Sequence, residues 1–268
     1  MIGISSPNRA ARSTTLDELS RPVTPAPSTA TRASDEHERS KQRGPSTWPN
    51  LVPDVLVVLV SVDGRTVQPV DRAVLIPIKA FHAAKGRLKG WLPDPDRARL
   101  ARWMAEQVVT AARPYPTFVA CDDDEVAAWA EALGAQVLWG PGLGLNGAID
   151  HGVQTIAGKG ADHVIISHGD LPLAHDLGDV ARSGHVVLVP DGRRDGTNVL
   201  SRPCGLELPA AYGAGSFGNH FAAALATGAV VTVRIDARLS IDIDTIDDCR
   251  HPLVEPVLRP ILGEAMPR

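Results

Sequence analysis

From residue 72 onward, short apolar runs alternate with longer segments of helical periodicity, and this alternation restricts the possible folds more than any other feature of the chain. Strands are predicted over residues 73–79, 117–121, 136–139 and 162–167. The segments between them predict helices over residues 96–113, 125–133 and 146–157. Because a helical crossover returns the chain to the same end of a sheet, successive βα units favour parallel strands.

The second half of the chain adds further strands and one more helix to this pattern. Apolar runs predict strands over residues 185–189, 197–200, 230–235 and 241–243, and a helix is predicted over residues 216–227. Beyond residue 250, four prolines allow at most one short helix and a frayed end. The prediction is an α/β fold with a single Rossmann-like, mostly parallel sheet over residues 72–250, followed by a C-terminal tail over residues 251–268.

The residues before this pattern carry few signals of a fold. Residues 1–50 are rich in Ser, Thr, Pro, Arg and Ala and contain no apolar run, which predicts disorder and gives no secretory signal. The apolar run at residues 55–60 is too short to span a bilayer, so no membrane partner is expected. It is either an added edge strand or part of an upstream extension without a role in the fold. We favour a disordered N-terminal extension over residues 1–71.

Composition excludes some classes of function. The chain of 268 residues has a formal net charge of −4 and a pI near 6.1, so no overall positive field attracts nucleic acid. Its three cysteines lie far apart, without metal-ligand spacing, as expected for a reduced, cytoplasmic compartment. Any affinity for phosphate must therefore come from local clusters of cations. The oligomeric state is not indicated.

The most informative single position is Asp170, which follows the apolar run at residues 162–167 and precedes a proline by two positions. In open α/β sheets, ligands bind beyond the carboxyl ends of the strands, so a carboxylate there can hold a metal ion against a phosphate. The alternative is a structural aspartate that forms an Asx turn or caps a helix. The segment alone does not decide between them.

A cluster of cations follows the first predicted strand and comprises Lys79, Lys85, Arg87 and Lys89. The first βα loop of such a sheet is a phosphate-binding place, and cations there can neutralise a triphosphate and stabilise a leaving pyrophosphate. The alternative is a solvated basic loop. Its predicted position opposite Asp170 favours the phosphate interpretation.

Residues 142–147 match the GxGxxG pattern between a predicted strand and a predicted helix, as the dinucleotide-binding fingerprint requires. This favours a rival function, an NAD-dependent oxidoreductase. Against it, the motif lies in the third βα unit rather than the first, and no acid ends the next strand to bind a ribose. The oxidoreductase is therefore an alternative.

Two later segments, residues 195–198 and 212–217, combine glycines with hydroxyl side chains. Ser216 and the helix that follows it can bind a phosphate or a carboxylate, or Ser216 is simply an N-cap. His168 and His220 are not accompanied by a Ser or Cys nucleophile elbow, so structural or supporting roles are expected for both.

Acidic residues recur near the end of the folded region. Asp242 and Asp244 alternate on a predicted strand, so both side chains point to one face, and one of them can share a divalent ion with Asp170. Asp247 and Asp248 are predicted to be acids in the first turn of a helix.

Taken in order, six segments between residues 73 and 248 resemble the CofC/FbiD family of guanylyltransferases: IPIKxxxxAKGRL, GLNGAI, SHGDLPL, DGTN, YGAGSFxxH and IDIDTIDD. The resemblance implies an α/β fold of the nucleotide-diphosphosugar-transferase type and a role in coenzyme F420 biosynthesis. It also implies transfer of GMP from GTP to a phosphorylated three-carbon acid, namely 2-phospho-L-lactate, phosphoenolpyruvate or 3-phosphoglycerate. Phosphoenolpyruvate is our first choice among these.

The same resemblance implies roles for individual residues. Asp170 is expected to be a Mg²⁺ ligand, with Asp242 and Asp244 as further candidates, and Lys85 and Asp170 are the expected catalytic residues. The acid substrate is expected to contact Thr197, Gly213 and Ser216. The nucleotide is expected to contact Lys79, Lys85, Arg87 and Asn146. Tyr212 stands where many relatives have Phe, and the chain lacks the GGxSxRMG opening of molybdenum-cofactor nucleotidyltransferases.

Overall fold

A computed structural model describes residues 55–60 and 71–266 of the protein, and these residues build one eight-stranded sheet flanked by helices. The strands are β1 (Val55–Val60), β2 (Arg72–Pro77), β3 (Thr117–Cys121), β4 (Gln136–Trp139), β5 (His163–Ser167), β6 (His185–Pro190), β7 (Thr197–Pro203) and β8 (Val230–Asp236). The helices are α1 (Asp94–Ala111), α2 (Asp124–Ala132), α3 (Gly144–Gly158), α4 (Ser216–Ala226), α5 (Ile246–Cys249) and α6 (Glu255–Leu262).

The strand order is β1-β8-β6-β7-β5-β2-β3-β4. Four neighbouring pairs are parallel, namely β2 with β3, β2 with β5, β3 with β4 and β6 with β8. The three pairs made by β7 and by β1 are antiparallel. The predicted α/β fold with a mostly parallel sheet is therefore confirmed, although β7 makes the second half of the sheet mixed.

The direction of the chain reverses between β2 and β5. The first two crossovers carry the chain outward from β2 to β3 and β4, and α3 then returns it to the other side of β2, where β5 pairs. A crevice opens at the carboxyl ends of two parallel strands wherever their crossovers lead to opposite sides. The topology therefore places the candidate ligand crevice beyond Pro77 and Ser167.

Both faces of the central strands are buried, which explains their continuous apolar runs. Val74 and Ile76 of β2 contribute to a core cluster with α1 and α2, whereas Ala73 and Leu75 contribute to a second cluster with α3 and α4. Successive side chains of a strand point to opposite faces, so a strand covered on both faces needs apolar residues at every position. The central strands are thus rigid supports for the loops at their ends.

The C-terminal segment packs onto the domain. Leu258 and Leu262 of α6 and Met266 beyond it join a third core cluster with Leu100 and Met104 of α1. The predicted short helix is confirmed. The prediction of a frayed end is wrong for the residues up to Met266, because their apolar side chains are buried against α1. Among the residues that the structure describes, each helix is too short or too polar to cross a bilayer.

Two predictions about strands are wrong. Residues 55–60, which we assigned to an extension without a role in the fold, pair with β8 along their whole length and cover its edge. The remainder of the predicted extension before residue 71 lies outside the described residues. Residues 241–243 form no strand, because this segment crosses the end of β5 with one backbone bond, from Ile243 N–H to Asp170 C=O, at 3.4 Å.

Candidate active site

Asp170 lies three residues beyond the end of β5, on a turn that passes close to the end of β2. A Cβ atom on Gly169 would stand 3.3 Å from Cγ1 of Ile78, so the glycine permits this close approach. The loop after β2 crosses the same crevice and contains two short 3₁₀ turns, Phe81–Ala83 and Gly86–Leu88. The carboxylate and the basic loop are thus brought together at the reversal point of the sheet.

Four side chains form a group that we call the charged corner: Lys85, Arg87, Asp170 and Asp244. The Lys85 ammonium donates to Asp170 Oδ2 at 2.6 Å and to Asp244 Oδ1 at 3.2 Å. Arg87 donates to Asp244 Oδ2 at 2.7 Å. Only 7% of the Lys85 side chain is exposed, against 70% for Arg87. Lys85 is therefore a buried cation that pairs with two carboxylates, whereas Arg87 is an exposed cation that pairs with one.

Both members of the Lys85–Asp170 pair are held in their charged forms. Burial lowers the pKa of Lys85, but the carboxylates of Asp170 and Asp244 outweigh burial and hold it above its usual value. Burial likewise raises the pKa of Asp170, but the Lys85 ammonium, together with His168 and hydrogen bonding, outweighs burial and holds it below its usual value. A buried ammonium that stays charged can stabilise negative charge on a phosphate.

The negative charge of this region exceeds what Lys85 satisfies. Asp170 Oδ1 is buried without a hydrogen-bond partner. The pKa of Asp242 is raised to about 6, first by burial and then by the negative charges of Asp170 and Asp244. In the described part of the chain, no three Asp, Glu, His or Cys side chains already surround one point as metal ligands do. The carboxylates instead share a lysine.

The segment that carries Asp242 and Asp244 is fixed by a helix cap rather than by a sheet. Asp248 Oδ2 accepts from the backbone N–H groups of Asp244 and Thr245, at 3.0 and 2.6 Å, and from the Thr245 hydroxyl at 2.8 Å. Asp247 and Asp248 lie in the first turn of α5, as predicted. Ile243 between the two aspartates is fully buried, while both aspartates line the cavity. The predicted alternation holds without the predicted strand.

A second group, which we call the hydroxyl pocket, comprises Thr197, Ser216 and His220. The Thr197 N–H donates to Ser216 Oγ at 3.1 Å, and Thr197 Oγ1 lies 3.0 Å from His220 Nδ1. All three residues are at most 2% exposed. Ser216 is the first residue of α4, and the N-cap is Gly215, whose φ of 69° suits glycine. Ser216 is thus not the N-cap. Its hydroxyl instead accepts from the N–H of Thr197, the first residue of β7.

One cavity of about 920 Å³ joins the two groups. It is lined by predicted site residues from both ends of the chain: Lys79, Arg87, Asp170, Thr197, Gly213, Ser216, Asp242 and Asp244. Lys85 lines an adjoining pocket of about 340 Å³, together with Lys79, Asp170 and Asp244. A volume of this size accommodates a nucleotide and a small second substrate. Of the ten predicted site residues, eight therefore line this cavity and Lys85 lines the pocket beside it.

Residues 72–255 match the family model described as guanylyl transferase CofC like. The chain belongs to this family. It is therefore a nucleotidyltransferase of the guanylyltransferase type, and the resemblance seen in the sequence is confirmed. Membership also removes the oxidoreductase alternative. The structure agrees, because the GxGxxG segment follows β4 at the outer edge of the sheet, whereas a dinucleotide-binding motif follows a strand at the reversal point.

Two similar proteins with assigned functions carry the same name. The phosphoenolpyruvate guanylyltransferase of Rubrobacter xylanophilus is 36% identical over 184 residues, which cover 65% of this chain and 89% of that protein. The phosphoenolpyruvate guanylyltransferase of Chloroflexus aggregans is 33% identical over 191 residues, covering 66% of this chain and 95% of that protein. This CofC-like chain therefore spans nearly the whole length of both relatives.

Solved structures agree on the fold. A nucleotide-diphospho-sugar transferase from Desulfovibrio desulfuricans superposes with a TM-score of 0.58 at 16% identity, covering 74% of this chain and 97% of that one. A nucleotidyl transferase from Methanothermobacter superposes with a TM-score of 0.52 at 15% identity, covering 70% of this chain and 98% of that one. The CofC-like chain thus has the nucleotide-diphosphosugar-transferase type of fold that the sequence resemblance implied.

Asn146 is the predicted site residue that the structure places behind the cavity. Its side-chain amide donates to the Tyr212 carbonyl at 3.2 Å and accepts from the Tyr212 N–H at 2.8 Å. This pair of bonds holds the loop that carries Gly213 and leaves the predicted nucleotide contact of Asn146 a prediction. The link was not foreseen, because nothing in the sequence pairs residues that are 66 positions apart.

Proposed function

We propose that the protein transfers GMP from GTP to phosphoenolpyruvate, or to 2-phospho-L-lactate, and releases pyrophosphate in coenzyme F420 biosynthesis. The observation that carries this proposal is the cavity that joins an end with paired cations and carboxylates to a neutral, hydroxyl-lined end. The names of the relatives support phosphoenolpyruvate as the acceptor. The acceptor 3-phosphoglycerate is the alternative that the same cavity accommodates. We also propose a cytoplasmic location, in keeping with the reduced cysteines expected from the sequence.

The charged corner is suited to bind the triphosphate of the nucleotide. Lys79 is exposed and lines the cavity, and Lys85 carries a charge that its carboxylate partners maintain. Together with Arg87 these cations are placed to bind the triphosphate and to neutralise the pyrophosphate as it departs. A triphosphate that enters this corner offers Lys85 new anionic partners beside Asp170 and Asp244.

The carboxylates suit a Mg²⁺ ion. Mg²⁺ prefers oxygen ligands, and Asp170 has a buried oxygen atom without a partner beside the carboxylates of Asp242 and Asp244. Asp170 would hold the ion with one or both of the other two aspartates. A bound Mg²⁺ would polarise the phosphates and offset their charge.

The bond changes require little covalent help from the protein. A phosphate oxygen of the acid attacks the α-phosphorus of GTP and forms a new P–O bond. The bond between the α-phosphorus and the bridging oxygen breaks, and that oxygen leaves with pyrophosphate. Because the attacking phosphate is already ionised, no side chain has to remove a proton, and the protein contributes alignment and charge.

The test is pyrophosphate release by the full chain with GTP and Mg²⁺, with phosphoenolpyruvate, 2-phospho-L-lactate and 3-phosphoglycerate offered separately. The full chain is used because β1 precedes residue 72 and belongs to the sheet. We expect release with phosphoenolpyruvate or 2-phospho-L-lactate, and much less with ATP in place of GTP. Binding of GTP without release for any acid would overturn the proposal and identify a non-catalytic nucleotide-binding relative.

A further inference from the structure

His220 is fully buried at the back of the hydroxyl pocket, and both of its ring nitrogen atoms are bound. Its Nε2 lies 3.0 Å from the backbone nitrogen of Ala211, and its Nδ1 lies 3.0 Å from Thr197 Oγ1. The imidazole therefore connects the start of β7 to the loop that leads to Gly213 and Ser216. Nothing in the proposed transfer reaction uses this residue directly.

The two contacts fix the position of the imidazole proton. A backbone N–H can only donate, so the Ala211 N–H requires an unprotonated Nε2 that accepts. Burial and the nearby His168 lower the pKa of His220 to about 4, so the ring is neutral near pH 7. A neutral imidazole carries one proton, which must then lie on Nδ1. His220 Nδ1–H consequently donates to Thr197 Oγ1.

This direction of donation determines what the hydroxyls can do. Once Thr197 Oγ1 accepts from His220, its own hydrogen is left to point elsewhere, and the residue lines the cavity. Ser216 Oγ is in the same situation, because it accepts from the Thr197 N–H and also lines the cavity. Two buried hydroxyl groups thus present donors to the cavity, and such an arrangement favours an anionic ligand.

We propose that His220 is a positioning residue that holds the Thr197 hydroxyl as a hydrogen-bond donor to the anionic group of the acid substrate. The proposal rests on the proposed function, in which the acid binds at Thr197, Gly213 and Ser216. His220 acts through Thr197 and through Ala211, and it has no contact with the reacting phosphate. It therefore affects the affinity for the acid rather than the affinity for GTP.

Two substitutions separate the contacts of His220. The side-chain oxygen of His220→Gln can still accept from Ala211 but removes the donor to Thr197, whereas His220→Asn can retain a donor near Nδ1. We expect His220→Gln to raise the KM for the acid about tenfold, with the KM for GTP and kcat nearly unchanged. His220→Asn is expected to restore most of the loss. An unchanged KM for the acid, or equal losses in both variants, would overturn the proposal.

A double-mutant cycle tests whether His220 acts through the hydroxyl. Thr197→Val removes the hydroxyl, and we expect His220→Gln to have no further effect on the KM for the acid in that background. Additive losses would instead show an independent role and overturn the proposal. The matched control is His163→Asn, which removes another buried contact between a histidine and a hydroxyl, that of His163 Nε2 with Ser201 Oγ at 2.7 Å, at the opposite end of β5. It should leave both KM values unchanged.

Two measurements keep the inference separate from the proposed function. Two-bond ¹H–¹⁵N spectra of the wild-type protein should show a protonated Nδ1 and an unprotonated Nε2 for His220, and the opposite tautomer would overturn the proposal even if the variants do not fold. Calorimetric titration with phosphoenolpyruvate alone tests whether His220→Gln weakens acid binding. A wild-type protein that binds the acid through this network but releases no pyrophosphate would contradict the proposed function and leave the positioning role standing.

Discussion

The charged corner and the hydroxyl pocket lie at two ends of one cavity, and they are built in different ways. In the charged corner, Lys85, Arg87, Asp170 and Asp244 come from three loops and neutralise one another. In the hydroxyl pocket, Thr197 begins β7, Ser216 begins α4, and neutral hydrogen bonds connect them. The ion pairs at the first end can be exchanged for contacts with a ligand, whereas the donors at the second end are already oriented.

This difference has a physical basis. A buried charge must be paired, so the empty charged corner satisfies its lysine with carboxylates, and these contacts have to change when a triphosphate enters. Lys85 also has a left-handed backbone with φ of 55°, which is uncommon for a residue other than glycine. The hydroxyl pocket requires no such exchange, because its hydrogen bonds are between neutral groups and the Thr197 and Ser216 hydroxyls each retain a free donor. We therefore expect substitutions at the two ends to affect different substrates.

The largest effect is expected from Asp170→Asn. The substitution removes the carboxylate that follows the central strand β5 into the corner, and turnover should fall about a thousandfold or more, because the Mg²⁺ ion that would offset the charge of the phosphates would lose a ligand. Lys85 retains Asp244, so the fold should be intact by circular dichroism. Asp162→Asn, which changes an exposed carboxylate at the other end of β5, is the matched control. Near-wild-type turnover of Asp170→Asn would remove Asp170 from the mechanism.

The second largest effect is expected at the charged corner, where the nucleotide is proposed to bind. Lys85→Ala removes the buried cation, and we expect the KM for GTP to rise about 30-fold, as for loss of a charge-assisted hydrogen bond, with little change for the acid. Lys89→Ala is the control, because Lys89 is an exposed lysine of the same loop that lines neither the cavity nor the adjoining pocket. Steady-state kinetics with each substrate varied in turn provides the measurement. An unchanged requirement for GTP would show that Lys85 does not contact the phosphates.

Ser216→Ala tests the acid side. Removing one oriented hydroxyl donor should raise the KM for the acid about tenfold and leave the KM for GTP nearly unchanged. Thr155→Ala is the control, because it removes a hydroxyl that binds the His151 carbonyl on an exposed face of α3. If Ser216→Ala and Lys85→Ala affected both substrates equally, the two ends of the cavity would not be functionally distinct.

The smallest effect concerns the pH dependence of stability. The pKa of Asp242 is raised to about 6 by burial and by its acidic neighbours, so wild-type protein loses stability as the pH rises from about 4 to about 6. Asp242→Asn does not ionise. We expect the Asp242→Asn variant to be about 1 kcal/mol more stable than wild type above pH 6, with no difference below pH 4. The difference is small because solvent in the cavity screens the charge of Asp242. Denaturant titrations in EDTA measure this, and a difference independent of pH would refute the assignment.

Periodicity and turn chemistry explain what was predictable in the fold. The bounds of β3 and β4 match the prediction residue for residue, because both strands are short apolar runs between turn residues. The failures have tertiary causes. Residues 55–60 form a strand because the edge of β8 is available, and residues 241–243 form none because they cross the end of the sheet. The local apolar pattern of each segment does not reveal whether a neighbouring strand is available to pair with it.

The sequence by itself determined the α/β class, the order of the elements from β2 to α4 and the residue types of the site, since these follow from local patterns and from ordered motifs. Only the tertiary structure decided which of those residues meet. Lys85 reaches Asp244 across 159 positions, and His220 orients Thr197 across 23. Such contacts depend on where strands end relative to one another and on the direction of each hydrogen bond, which no local pattern specifies.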